Sequence, residues 1–262
     1  MKSKKIGKRT DRKAQVSVFI ILGIMIVVIL VLIFKNRPDF NTIFTKQESP
    51  VSDIQKCIID SSKETITKII LQGGTYEPKN YYLYDNTKVE YICYSGAYYE
   101  RCVMQKPVLK TNIQEEIKKY LEPKVASCIE AIKQSYIDRE YSFDYKKPNV
   151  KIEIIPSSII IDSDLDITIT KENNVYNYKN IKTGIDSELY DLVMIATSIL
   201  NWEARYGDSE SLYYMLSYPD LKLEKKIQSD GTRIYILTHR ETKEKFMFAT
   251  RSYTIPVGVT GE

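Results

Sequence analysis

Hydrophobic residues change rhythm along this chain, and each rhythm predicts an element. Val16 to Phe34 is a run of nineteen residues without a charge, and Ser17 is its only conventionally polar member. As a helix it would be about 28 Å long, matching a hydrocarbon core of roughly 30 Å. The Lys35-Asn36-Arg37-Pro38 that follows offers no small-residue cleavage site of the kind that ends a secretory signal. The pattern predicts a transmembrane helix over residues 16–35.

Beyond that run the apolar residues thin to a helical period. Val51, Ile54, Ile58, Ile66, Ile69 and Ile70 share one face of a helix over residues 51–72, closed by Gly73-Gly74. Ile113, Ile117, Leu121, Val125, Ile129, Ile132 and Tyr136 mark a second helix over residues 112–139. Pro123 interrupts it, and interior proline costs about 3 kcal/mol, so a kink or a fresh start is expected there.

After Tyr145 the period falls to two. Residues 149–156 and 157–170 read as strands, and residues 171–181 as the turn and return strand of a hairpin at Asn173-Asn174. Leu189, Leu192, Val193, Ala196, Ile199 and Leu200 form the stripe of a third helix, with Asp186 or Ser187 to cap its start and Gly207 its end. A short helix ended by Pro219 and a three-stranded meander with a turn at Asp230-Gly231 complete the pattern.

Charge orients the apolar run. Met1 to Gln15 carries a balance of +6 in a chain of net charge +4, so the remainder is at −2. A basic excess belongs on the cytoplasmic side. The expected topology is a single-pass protein of the cell membrane, N-terminus cytoplasmic and C-terminal domain extracellular. The basic cluster is expected to touch anionic lipid rather than nucleic acid. The expected organisation is a basic cytoplasmic segment (1–15), a transmembrane helix (16–35), a helical and hairpin region with the cysteines (36–145) and an α+β region with antiparallel strands and a central helix (146–262). The fold class is therefore α+β, with one N-terminal transmembrane helix before an external domain that has a disulfide-stapled helical part and an antiparallel-sheet part.

All the cysteines, Cys57, Cys93, Cys102 and Cys128, lie in that outer part, and an even number in an exported domain reads as disulfides. Cys93 and Cys102 flank a short hairpin turning at Ser95-Gly96 and are expected to pair locally. Cys57 and Cys128 remain. Each lies beside the apolar stripe of a helix, so their bond would join two helices, at a chain-entropy worth of roughly 3–4 kcal/mol.

Catalytic constellations are not evident. Asp162, Asp164 and Asp166 alternate with Leu165, Ile167 and Ile169, as on a strand with one wet face, and an EF-hand loop there would lack its glycine and its final glutamate. His239 is the only imidazole, with no nucleophile elbow in the chain. Glu115 and Glu116 read as helix-surface charges beside Lys118 and Lys119. No metal and no cofactor is expected.

Tyrosine carries the functional content. Eight tyrosines fall between Tyr76 and Tyr99. Tyrosine offers large, stiff contact area with a polar tip. Tyr91, Tyr94, Tyr98 and Tyr99, around the Cys93–Cys102 loop, form the candidate recognition surface, where an envelope protein or a glycan would dock.

Two resemblances bear on the whole chain. The basic start, Ala14-Gln15 and the apolar run resemble the leader cut by archaeal prepilin-type peptidases, which would cleave between Ala14 and Gln15; the glutamate that many pilins carry five residues into the mature chain is Phe19 here. The stretches AQVSVFIILGI, PVSDIQKCIIDSSKETITKIILQGG, IQEEIKKYLEPKVASCI and FMFATR together resemble uncharacterised single-pass surface proteins of small-genome archaea. That resemblance implies an envelope protein without known activity, with helix cysteines at Cys57 and Cys128. The expected function is a non-enzymatic, membrane-anchored binding or structural protein, with lipid bilayer as one partner. A self-assembling pilin-like subunit is the alternative and an anchored hydrolase the third reading.

Overall fold

The structure, a computed structural model, describes residues 22–28 and 50–255. Residues 22–28 lie in a unit of their own and are helical. This corrects the expectation of a transmembrane helix over residues 16–35. Among the described residues no helix is long and apolar enough to cross a membrane. An uninterrupted apolar run reports hydropathy, and hydropathy alone does not establish a helix of spanning length. The rest of that stretch, the basic segment 1–15 and the Ala14–Gln15 processing site lie outside the described residues. The lack of a spanning helix among the described residues removes the ground for the membrane anchor, the single-pass topology, the cell-membrane localisation and the anchored, pilin-like and hydrolase variants built on that helix.

The α+β character stands. Helix α1 (Pro50–Leu71) and helix α2 (Leu109–Ile137) bury the stripes that their periodicity marks, among them Ile54, Ile58 and Ile69 on one and Ile113, Ile117, Leu121 and Val125 on the other. Each such side chain is worth about 1.5–3 kcal/mol in burial. Cys57 of α1 bonds to Cys128 of α2, their Cα atoms 6.0 Å apart. At the end of α1, Gly73 and Gly74 take φ of +79° and +87°, and the Gly74 N–H donates to the Ile69 carbonyl at 2.8 Å. Helix α2 runs through Pro123 without a break, so the alternative of a fresh start there does not occur. Leu121 and Val125, both fully buried, hold the helix in register on either side of the exposed ring, and their burial outweighs the missing hydrogen bond.

Between these helices lie β1 (Tyr81–Tyr84), β2 (Thr87–Tyr94) and β3 (Val103–Met104). After α2 come β4 (Ser142–Asp144), β5 (Asn149–Ile155), β6 (Ser158–Lys171), β7 (Asn174–Asp186), α3 (Leu189–Tyr206), α4 (Ser211–Ser217), β8 (Leu221–Ile227), β9 (Arg233–His239) and β10 (Lys245–Arg251). One sheet has the order β1-β2-β10-β9-β8, with β3 also on β2. Its β2–β10 pair is parallel, so a strand from the cysteine region is built into the C-terminal meander. In the other sheet β6 is central, flanked by β4 and β5 on one edge and β7 on the other. The β6–β7 turn is at residues 172–173, one position before the expected Asn173-Asn174, because Lys171 pairs with Asn174.

Alternation along β9 and β10 divides the core. Tyr235, Leu237, Phe246 and Phe248 face the main core with α1, α2 and α3, whereas Ile234, Ile236, Met247 and Ala249 face a second cluster with Val89 and Tyr91. On β6, Asp162 and Asp166 point outward to Lys182 and Lys146, while Ile161, Ser163, Leu165 and Ile167 are buried.

Candidate recognition surface

The Cys93–Cys102 bond, with Cα atoms 5.3 Å apart, closes a loop between β2 and β3. Backbone bonds lace the loop to the segment after β10. The Ser95 N–H donates to the Arg251 carbonyl at 2.9 Å, the Tyr99 N–H to the Thr254 carbonyl at 2.9 Å and the Tyr253 N–H to the Glu100 carbonyl at 2.7 Å. Tyr99 and Tyr253 hold φ of 60° and 51°, a left-handed backbone that large side chains rarely adopt. These reciprocal bonds hold both residues there.

The end of α3 completes the surface. Ser252 is the pivot: its Oγ accepts from the Cys102 N–H at 3.0 Å and donates to the Glu203 carbonyl at 3.1 Å. Gly207 closes the helix at φ +81°, its N–H on the same Glu203 carbonyl at 2.9 Å. Arg101 Nη1 donates to the Arg205 carbonyl at 3.2 Å, and the Trp202 and Tyr206 rings lie 4.8 Å apart. The loop, the helix end and the C-terminal segment thus present Tyr98, Tyr99, Trp202, Tyr206 and Tyr253, each between 49% and 56% exposed.

Beneath them lies a buried ionic group. Glu203 is fully buried and accepts hydrogen bonds from the Tyr235 hydroxyl and from Arg233 Nη1, the latter at 3.2 Å. Burial raises its carboxyl pKa above the ordinary value, against the Arg233 charge and the Tyr235 bond. Burial and the Glu203 charge push the Tyr235 phenol up. Burial would raise Asp208 as well, but the Lys225 bond, the Ser209 N–H and Arg233 hold it below its usual range. Arg233 also donates to the Ser252 carbonyl at 2.8 Å, so this network fixes the segment carrying Tyr253.

The four candidate tyrosines divide. Tyr98 and Tyr99 are on the surface. Tyr91 is 6% exposed, its hydroxyl 2.7 Å from Thr232 Oγ1, and burial raises its pKa. Tyr94 is half-buried with its ring 4.9 Å from that of Tyr91. Both pack in the second core cluster, because β2 is an inner strand covered on both faces. Trp202, Tyr206 and Tyr253 have no counterpart in the sequence reading. A signal existed: the α3 stripe continues to Glu203, so the chain's one tryptophan falls outside it.

Other chemistry-bearing groups are engaged elsewhere. His239 Nδ1 accepts from Thr242 N at 3.3 Å and lies 3.0 Å from Thr242 Oγ1. It borders a small pocket of about 160 Å³ with Asp191, Ser217 and Asp220, none of which it bonds. In a groove of about 810 Å³ along α2, Lys106 already pairs with Glu90 and Thr75. Among the described residues no His, Cys, Asp and Glu cluster could hold a metal ion. No known family model, curated protein or solved structure matches the chain, and with no helix of spanning length among the described residues the resemblance to archaeal single-pass surface proteins is withdrawn.

Proposed function

We propose that residues 50–255 form a binding domain, not an enzyme, and that its partner, a glycan or a protein, docks on Tyr98, Tyr99, Trp202, Tyr206 and Tyr253. One observation carries this reading: five half-exposed aromatic rings from three separate chain segments, braced by a disulfide and reciprocal backbone bonds. Water gains nothing from such an arrangement, and exposed apolar patches with polar edges mark interaction sites. Tyrosine and tryptophan are the side chains most enriched in binding hot spots, because they lose little conformational freedom per unit of contact. Two disulfides fit a compartment that keeps thiols oxidised. Stacking and hydrogen bonding at this surface require neither metal nor cofactor.

The test compares the full chain with Tyr98→Ser/Tyr99→Ser on arrays of immobilised glycans and peptides. Retained thermal stability with at least about tenfold weaker binding of a partner taken up by the wild type is the expected result. Equal binding of every partner by both proteins overturns the reading.

A further inference from the structure

The charges around the aromatic surface are lopsided. Arg101, Arg205 and Arg251 form no ion pair with a carboxylate among the described residues. Arg233, by contrast, pairs with both Glu203 and Asp208. Arg251 stands out because it is only 9% exposed. A buried charge is normally paired. Here the guanidinium meets only backbone carbonyls, of Ser95 at 2.6 Å and of Asp230 at 3.3 Å, and lies 5.4 Å from the centre of the Tyr98 ring. Arg205 is exposed and lies 5.4 Å from the Tyr206 ring centre, with Arg101 on its carbonyl. The loop's one carboxylate, Glu100, is exposed and joins none of them.

We infer that this surface takes an acidic glycan, its sugar faces stacked on the aromatic rings and its carboxylates received by Arg251 and Arg205. The inference rests on the recognition reading above and names its ligand class. A pyranose offers what the site complements: an apolar C–H face for a ring, and a polar edge for tyrosine hydroxyls. A carboxylate matches the planar guanidinium fork, and it would give Arg251 the counter-charge that the protein withholds. An acidic peptide fits less well. Arginine clusters receive acidic peptide motifs as well, but such a peptide brings no flat C–H face to cover the exposed aromatic rings. Nor does the loop offer a strand edge for a peptide to extend: of its two flanking strands, β2 is an inner strand and β3 is two residues long.

Trp202, the chain's only tryptophan, is a built-in reporter on the surface. The experiment titrates the full chain with oligogalacturonate, oligomannuronate, a neutral galacto-oligosaccharide of equal length and hexaglutamate, following Trp202 fluorescence. A saturable response to an acidic oligosaccharide is expected, about tenfold or more tighter than to the neutral one and weakened by salt. Arg251→Gln should abolish that preference. Arg205→Gln, at an exposed position, should reduce it and keeps the test open if the buried substitution prevents folding. Equal affinity for acidic and neutral sugars, equally tight hexaglutamate, or silence of both uronate oligomers overturns the acidic-glycan inference. If the neutral sugar or the peptide binds instead, and Tyr98→Ser/Tyr99→Ser removes that binding, the recognition reading stands while this inference falls.

Discussion

Tyr253 lies on Gly207 so closely that a β-carbon added to the glycine would come within 2.7 Å of the tyrosine Cβ and 3.0 Å of its ring. Gly207 also ends α3 at φ +81°, where an L side chain costs about 1–2 kcal/mol. Gly207→Ala should therefore lose at least about 1–2 kcal/mol by urea titration and shift Tyr253 off the helix end. Gly207→Asn tolerates the backbone better but crowds the same ring. Its stability should fall less while binding at the aromatic surface falls as far. An alanine variant as stable as the wild type would contradict the contact.

The Glu203 network makes stability depend on pH with a defined sign. Its folded pKa is raised by burial above the ordinary 4.5, so the folded state holds the proton more tightly than the unfolded one. The contribution is fully present below the unfolded value and is lost as pH rises through the folded value. Asp208 acts oppositely, since its folded pKa is held below 3.8 and its contribution disappears as pH falls. Above the acid range in which Asp208 loses its contribution, wild-type urea midpoints should thus decline as pH rises through the folded Glu203 value. Glu203→Gln should flatten that decline and leave the acid loss due to Asp208. A decline of equal size in both proteins would remove Glu203 as its cause.

Local pattern carried most of the architecture, and long-range pairing did not. The stripes of α1, α2 and α3 and the alternation of β5 and β6 are periodic, so their buried faces are readable residue by residue. Cys57 and Cys128 lie next to two such stripes, and the bond between them needs only that the stripes meet. The parallel β2–β10 pair is different, because nothing in Thr87–Tyr94 announces a partner in Lys245–Arg251. That pairing makes β2 an inner strand, and it is why Tyr91 belongs to the core and not the surface. Tyr253 belongs to no periodic element and takes its place from two backbone bonds, its own to Glu100 and that of Tyr99 to Thr254. Trp202 and Glu203 were half legible: the stripe places the carboxylate inside and the indole outside, but only Arg233 and Tyr235 explain why a carboxylate can be there.

The two disulfides should separate stability from binding. Cys57–Cys128 spans 71 positions and Cys93–Cys102 spans 9. On the chain-entropy model the longer closure contributes about 4–4.5 kcal/mol and the shorter about 2–3 kcal/mol. Only the shorter one frames the aromatic surface. Cys57→Ser/Cys128→Ser should lower the urea midpoint more and leave ligand affinity at low urea nearly unchanged. Cys93→Ser/Cys102→Ser should lower the midpoint less and weaken binding more. The reverse ranking in binding would place the functional surface away from this loop.

Pro123 offers a stabilising substitution remote from the surface. It sits inside α2, is exposed, and has no N–H to give to the turn before it. The helix nevertheless continues, held by Leu121 and Val125 and by the bond at Cys128. Alanine at this position restores one backbone hydrogen bond and removes the ring's clash with the preceding carbonyl. It also loosens the unfolded chain, which offsets part of the gain, because proline restricts that ensemble. Pro123→Ala should therefore raise unfolding stability by about 1–3 kcal/mol and leave Trp202 fluorescence titrations unchanged. A loss of stability would mean that α2 is bent at Pro123 in a way its packing against α1 requires.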